Sequence, residues 1–195
     1  MDVYRSTLAG AVVIVGLCSS LPLAQAASIY VQPASGTVDL AAGQAVLEIY
    51  MDFSSDPTIG GGFDLDISGP ASLDSFSPSA WFTTVPDPFL TGFGTDLADN
   101  DLEIHFGDFF GLEGPAKLGD LTLNLSGAGT ASVVLSLNSY FSPFFDINNQ
   151  EQAVALSGAS VQIQAVPTPA AAWLLAGGLG FLWHVRERRA RLLVG

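Results

Sequence analysis

Apolar residues in the middle of this chain recur at every second position, and that period limits the fold more than any other feature. Leu47, Ile49, Met51 and Phe53 fall on one side of a segment whose other side is Val46, Glu48, Tyr50 and Asp52. Phe63, Leu65 and Ile67 alternate with Asp64 and Asp66; Leu102, Ile104 and Phe106 alternate with Glu103 and His105. Leu121, Leu123 and Leu125, then Val161 and Ile163, repeat the pattern. A period of two sends neighbouring side chains to opposite faces of an extended strand. Breakers separate the runs: Asp56-Pro57, Gly60-Gly61-Gly62, Gly69-Pro70, Pro86-Asp87-Pro88, Gly114-Pro115, Gly127-Ala128-Gly129 and Ser142-Pro143. Short strands with one apolar face bury it by stacking two sheets. The sequence therefore predicts an all-β sandwich of about eight to ten short strands over residues 27–165. A barrel is the alternative; the irregular spacing of the runs favours the sandwich.

The charges divide the chain differently. It has 195 residues with 6 Lys+Arg against 19 Asp+Glu, a formal net charge of −13. Five of the cations are terminal: Arg5, Arg186, Arg188, Arg189 and Arg191. Between Ser28 and Ala165 stands Lys117 alone against seventeen acids, a formal −16. Such a body cannot neutralise phosphates, which excludes electrostatic binding of nucleic acid. The single cysteine, Cys18, excludes a disulfide scaffold.

Both ends read as addresses. Arg5 precedes ten uncharged residues, Leu8–Leu17, too few to span a bilayer. Pro22 and the small-residue pattern Ala24-Gln25-Ala26 follow. This is the layout of a signal peptide over 1–26, cleaved after Ala26. At the other end, Ala170–Val185 is apolar except for His184 and is bounded by Trp173 and Trp183. Its 16 residues span about 24 Å as a helix; the five before it extend the reach. Arg186, Arg188, Arg189 and Arg191 come next, so 170–185 is expected to be an inner-membrane helix with a cytoplasmic C-terminus. Pro167 and Pro169 force extended backbone just ahead of it, a shape that a peptidase site accepts.

Val166-Pro167-Thr168-Pro169, the apolar segment and the arginine cluster, in that order at the C-terminus, resemble the PEP-CTERM sorting signal. The family's signature has Glu between the prolines where this chain has Thr168. The resemblance covers residues 166–195. It implies processing by an exosortase-type membrane protease, with Val166–Pro169 as substrate. It also implies a Gram-negative bacterium that makes extracellular polysaccharide. The protein would be anchored transiently in the inner membrane and then reach the cell surface or matrix.

The order of the strands resembles a second family. Gly62-Phe63-Asp64-Leu65-Asp66-Ile67 is followed by Pro70–Phe76, then Lys117–Leu123, a Gly-Ala-Gly turn, Ala131–Leu135 and Asp146–Gln150. This is similar to the cohesin-type, or carbohydrate-binding-module-like, jelly-roll sandwich. The resemblance implies a nine-stranded domain that binds a partner protein or matrix component through one sheet face.

No catalytic constellation accompanies these patterns. His105 is the body's one histidine, and no Gly-x-Ser-x-Gly elbow precedes a helix. Asp64 and Asp66 share a strand face at a spacing that glycosidases use, but they alternate with apolar residues as the wet face of a strand does. Asp96, Asp99 and Asp101 are the best candidates for a metal. Clustered carboxylates suit Ca²⁺, while Asp and Asn equally favour a polar turn. Two groups of aromatics stand near short loops: Phe106, Phe109, Phe110, Tyr140, Phe141, Phe144 and Phe145, and Trp81, Phe82, Phe89 and Phe93. They are either core packing at the sandwich ends or a platform for sugar rings or apolar docking. The expectation is a non-enzymatic exported protein for adhesion, protein binding or exopolysaccharide assembly. The alternative is a carbohydrate-binding module acting on extracellular polysaccharide.

Overall fold

In the computed structural model, which describes residues 27–165, two antiparallel-dominated sheets enclose one core. Pro33 and Ala34 split the first strand into β1 (Ser28–Gln32) and β2 (Ser35–Asp39). β3 (Gln44–Asp52), β4 (Thr58–Ser68) and β5 (Ala71–Pro78) follow. One short helix, α1 (Ala80–Thr84), precedes β6 (Gly92–Asp96). The chain continues through β7 (Asp101–Leu112), β8 (Ala116–Leu125) and β9 (Gly129–Leu137). Four short strands end it: β10 (Phe144–Asp146), β11 (Glu151–Gln152), β12 (Ala155–Ser157) and β13 (Ala159–Gln164).

The smaller sheet has the order β12-β1-β3-β8-β5. The larger runs β11-β10-β4-β9-β13-β2, with β7 on the other edge of β4 and β6 outside β7. The described residues thus hold thirteen strands where about nine were expected. The surplus comes from interrupted strands. β1 and β2 are one passage that changes sheet, and β9 and β10 are one passage along β4 broken by a loop.

The inner faces are those of the period-two reading. Leu47, Ile49, Met51 and Phe53 are buried, as are Phe63, Leu65, Ile67, Leu102, Ile104, Phe106, Leu121, Leu123, Val161 and Ile163. Each such side chain contributes about 1.5–3 kcal/mol by leaving water. Three rings form the centre of one end. Phe53, Phe106 and Phe144 stand 5.6–6.3 Å apart between centroids.

One expected breaker is not a turn. Gly60-Gly61-Gly62 lies inside β4, paired to β7 and β10. The glycines are there for close approach. A Cβ on Gly61 would stand 2.6 Å from the buried Phe144 ring, and one on Gly62 would stand 2.6 Å from Phe141 Cβ.

No helix among the described residues is long and apolar enough to cross a membrane. The expected signal peptide with Ala24 and Ala26, the span 170–185, and the tail residues Val166, Pro167, Thr168, Pro169, Arg186, Arg188, Arg189 and Arg191 lie outside the described residues.

Candidate functional site

The glycine run of β4 is the floor of a groove, and both neighbouring strands bulge out beside it. On the β7 side, Thr58 pairs with Leu112 and Gly60 with Gly107. Two steps along β4 thus face five along β7, and Asp108-Phe109-Phe110-Gly111 is extruded. On the other side, Phe63 pairs with Leu137 and Gly60 with Phe145, so residues 138–144 leave the ladder. The resulting groove has a volume of about 200 Å³; Gly60, Gly61, Gly107, Leu90, Phe141 and Phe145 are among its lining residues.

The same local device holds each loop around the groove. A side-chain oxygen of Asp or Asn accepts backbone N–H groups just ahead of it, mimicking a backbone turn. Asp87 Oδ1 accepts from Phe89 N at 2.8 Å, and Asp108 Oδ1 from Phe110 N at 2.8 Å. Asn138 Oδ1 accepts from Tyr140 N at 2.8 Å and Phe141 N at 3.0 Å. Asp146 Oδ1 accepts from Asn148 N and Gln150 N, and these bonds, Gln150 first, hold its carboxyl below the usual range. The turns present rings to solvent: Phe89 is 94% exposed, Phe110 95%, Tyr140 85% and Phe109 74%. Ile147, on the Asp146 turn, is also exposed and stands beside Gly111.

Two contacts fix the Phe141 wall. Asn138, 3% exposed, donates from Nδ2 to Asp64 Oδ1 at 2.6 Å. The Phe141 ring stacks on His105 with centroids 4.0 Å apart and planes 15° from parallel. His105 Nδ1 is buried without a hydrogen bond, 3.6 Å from Glu103 Oε1.

Beyond the groove the same face is acidic. Asp64 lies directly opposite Glu103, Asp66 opposite Asp101, and Asp96 opposite Asp101. Like charges in directly opposed positions destabilise a sheet. Burial first, then Asp64, Asp66 and Asp96, push the Asp101 carboxyl above its usual range, and the Leu102 amide offsets part of this. Asp101 Oδ1 is buried without a partner.

The outer face of the smaller sheet is the opposite case. Lys117 Nζ bridges Glu48 at 2.6 Å and Asp120 at 2.7 Å, and the Tyr50 hydroxyl donates to Glu48. Bonds from Lys117 and then Tyr50 hold Glu48 below its usual range; bonds to Asp120 and then Glu48 hold Lys117 above its own. Gln44, Asp74 and Asn124 bond one another, and Tyr30 stacks on Tyr50 at 5.6 Å. That face is paired within itself.

Of the three residues expected to hold Ca²⁺, Asp96 and Asp101 are cross-strand partners and Asp99 lies in the turn between them. Asp96, Asp99 and Asp101 bracket the β6–β7 turn, where Asp96 Oδ1 accepts from Ala98 N and Asp99 N. Among the described residues no group of three or more His, Asp or Glu side chains is placed to hold a metal. The expected aromatic clusters divide. Phe106, Phe144 and Phe82 are core, whereas Phe89, Phe109, Phe110 and Tyr140 are surface. Sequence reasoning missed Asn138 as the loop's anchor and the glycine run as a floor. An Asn two residues ahead of a Tyr-Phe pair was the available signal.

No family model matches the chain. No curated protein matches it. Solved structures do match. The seventh ScaB type I cohesin of Pseudobacteroides cellulosolvens superposes with a TM-score of 0.57 at 12% identity, over 74% of this chain and 96% of that one. The fold is cohesin-like. A non-cellulosomal cohesin from the archaeon Archaeoglobus fulgidus gives 0.51 at 12% identity, over 75% and 95%. A type I cohesin–dockerin complex from Clostridium thermocellum gives 0.54 at 14% identity, over 72% and 95%. The cohesin-like likeness thus extends over the sandwich and establishes its architecture.

Proposed function

We propose that this chain is an exported, non-enzymatic module that binds a partner protein through the outer face of its larger sheet. The observation that carries this reading is the contrast between the two outer faces. One is charge-paired and hydrogen-bonded within itself. The other combines opposed acids with a groove whose neighbouring loops carry fully exposed rings. Exposed aromatic clusters rimmed by polar residues mark interaction sites. The solved cohesin in complex with a dockerin supports protein docking as the use of this fold. The signal peptide and the PEP-CTERM-like tail deliver the module: an exosortase-type protease cuts near Pro167–Pro169 and releases it to the cell surface or matrix. There it serves adhesion or biofilm and exopolysaccharide assembly.

Replacing Phe89, Phe110 and Tyr140 together by Ser tests the docking surface. These side chains are exposed, so folding is retained. Retention of the protein in the extracellular matrix fraction falls, whereas Val46→Ser on the smaller sheet leaves it unchanged. Equal retention of both variants overturns the reading. The exposed rings also favour a second reading, stacking on a neutral glycan; an affinity gel containing neutral polysaccharide retards the full chain only if that reading holds.

A further inference from the structure

We infer that the segment seated in the groove carries one bulky apolar side chain followed along the sheet by two cationic ones. The inference rests on the docking reading and names the partner's chemistry. The groove's volume, about 200 Å³, is below the roughly 300–1,000 Å³ of small-molecule sites and fits a side-chain anchor. Its floor is the backbone of Gly60, Gly61 and Gly107, and its walls are Ile59, Leu90, Phe141, Pro143 and Phe145. His105 brings the one titratable side chain of that lining. Nothing there attracts a charged group to the floor.

The charge lies next to the groove, in a fixed order. Gly62 faces His105; two residues on, Asp64 faces Glu103; two further, Asp66 faces Asp101, with Asp96 beside it. Two residues of strand advance about 7 Å, so the acid pairs stand about 7 Å and about 14 Å beyond the end of the groove. No Lys or Arg other than Lys117 exists between residues 27 and 165, and Lys117 is engaged on the smaller sheet. Asn138 donates to Asp64 and His105 lies 3.6 Å from Glu103, but no Lys or Arg of residues 27–165 pairs with these opposed acids, so the face suits a partner that brings cations. An extended partner strand meets the spacing with an apolar anchor at one position and Lys or Arg two and four residues away.

Three immobilised biotinylated peptides test this: acetyl-Trp-Ser-Arg-Ser-Arg, the same peptide with Glu for Arg, and the same with Gly for Trp. The full chain in phosphatidylcholine nanodiscs is the analyte, and empty discs are the blank. The first peptide binds, and each change weakens binding at least about tenfold, since desolvated charge pairs and anchors carry most of such affinity. Asp66→Asn with Glu103→Gln weakens the first peptide by about tenfold and flattens its salt dependence. These side chains are partly or fully exposed, so the variant folds. Phe141→Ala weakens the first two peptides alike. If the Arg and Glu peptides bind equally and both respond to Phe141→Ala, the surface docks partners but the cationic specificity is wrong. If no peptide binds above the blank at millimolar protein, the inference is overturned, and matrix retention of the ring variants alone decides the docking reading.

Discussion

Asp101→Asn should stabilise this protein at neutral pH, although it alters a partly buried side chain. Asp101 faces Asp66 on one neighbouring strand and Asp96 on the other. Its Oδ1 has no hydrogen-bond partner. Each directly opposed like-charge pair costs about 0.2–1 kcal/mol, less where water screens it. Removing both therefore returns about 1 kcal/mol, worth about 2–4 °C in Tm for a chain of this size. Burial, Asp64, Asp66 and Asp96 raise the folded-state pKa of this group. Between the unfolded and folded pKa the native state holds more protons than the unfolded one. Stability from this group is thus present at acid pH and lost as pH rises through the folded value. The wild type recovers it by taking up a proton, so the gap between variant and wild type closes as pH falls. Molar salt, where the screening length is about 3 Å, narrows it by weakening the charge pairs but leaves the part due to burial. Circular dichroism melts of the full chain at several pH and salt values measure the gap. A variant that is destabilised at neutral pH, or whose gain is indifferent to both pH and salt, refutes the reasoning. A stabilising change that also weakens partner binding is the trade-off expected where a surface is shaped for function.

Three further outcomes are expected. Asn138→Ala loses the charged bond to Asp64 and leaves the Tyr140 and Phe141 amides without their acceptor; denaturant unfolding should show a loss of about 2–4 kcal/mol. Gly61→Ala drives a methyl group into the Phe144 ring and should cost about 1–3 kcal/mol in the same assay. Changing Pro167 and Pro169 to Ala should leave uncleaved protein in the inner membrane, whereas mass spectrometry of the wild-type extracellular fraction should find no peptide containing Trp173–Val185.

The inner faces of the strands were legible because burial on one side enforces a period of two. Leu47–Phe53 and Phe63–Ile67 show it directly. The aromatics were not legible in the same way. Phe106 and Phe110 are four residues apart and share a face by alternation, yet one is core and the other solvent-facing, because β7 slips against β4 between them. That slip depends on partner strands far away in sequence. The glycine run was misread for a related reason. A turn and a close approach both select Gly, and only the position of Phe144 and Phe141 tells them apart. Asp96, Asp99 and Asp101 illustrate the same limit. Spacing brings carboxylates near one another, but the hairpin turn directs Asp96 to backbone amides. The groove exists only where these non-local slips meet.

Photo-crosslinking in the producing cells tests the central claim most directly. A benzophenone amino acid is placed in turn at Phe110 and Tyr140 on the larger sheet, and at Val46 and Thr122 on the smaller. The account predicts discrete crosslinked protein adducts from Phe110 and Tyr140 and none from Val46 and Thr122. Adducts from Val46 and Thr122 alone, or from no position, contradict it.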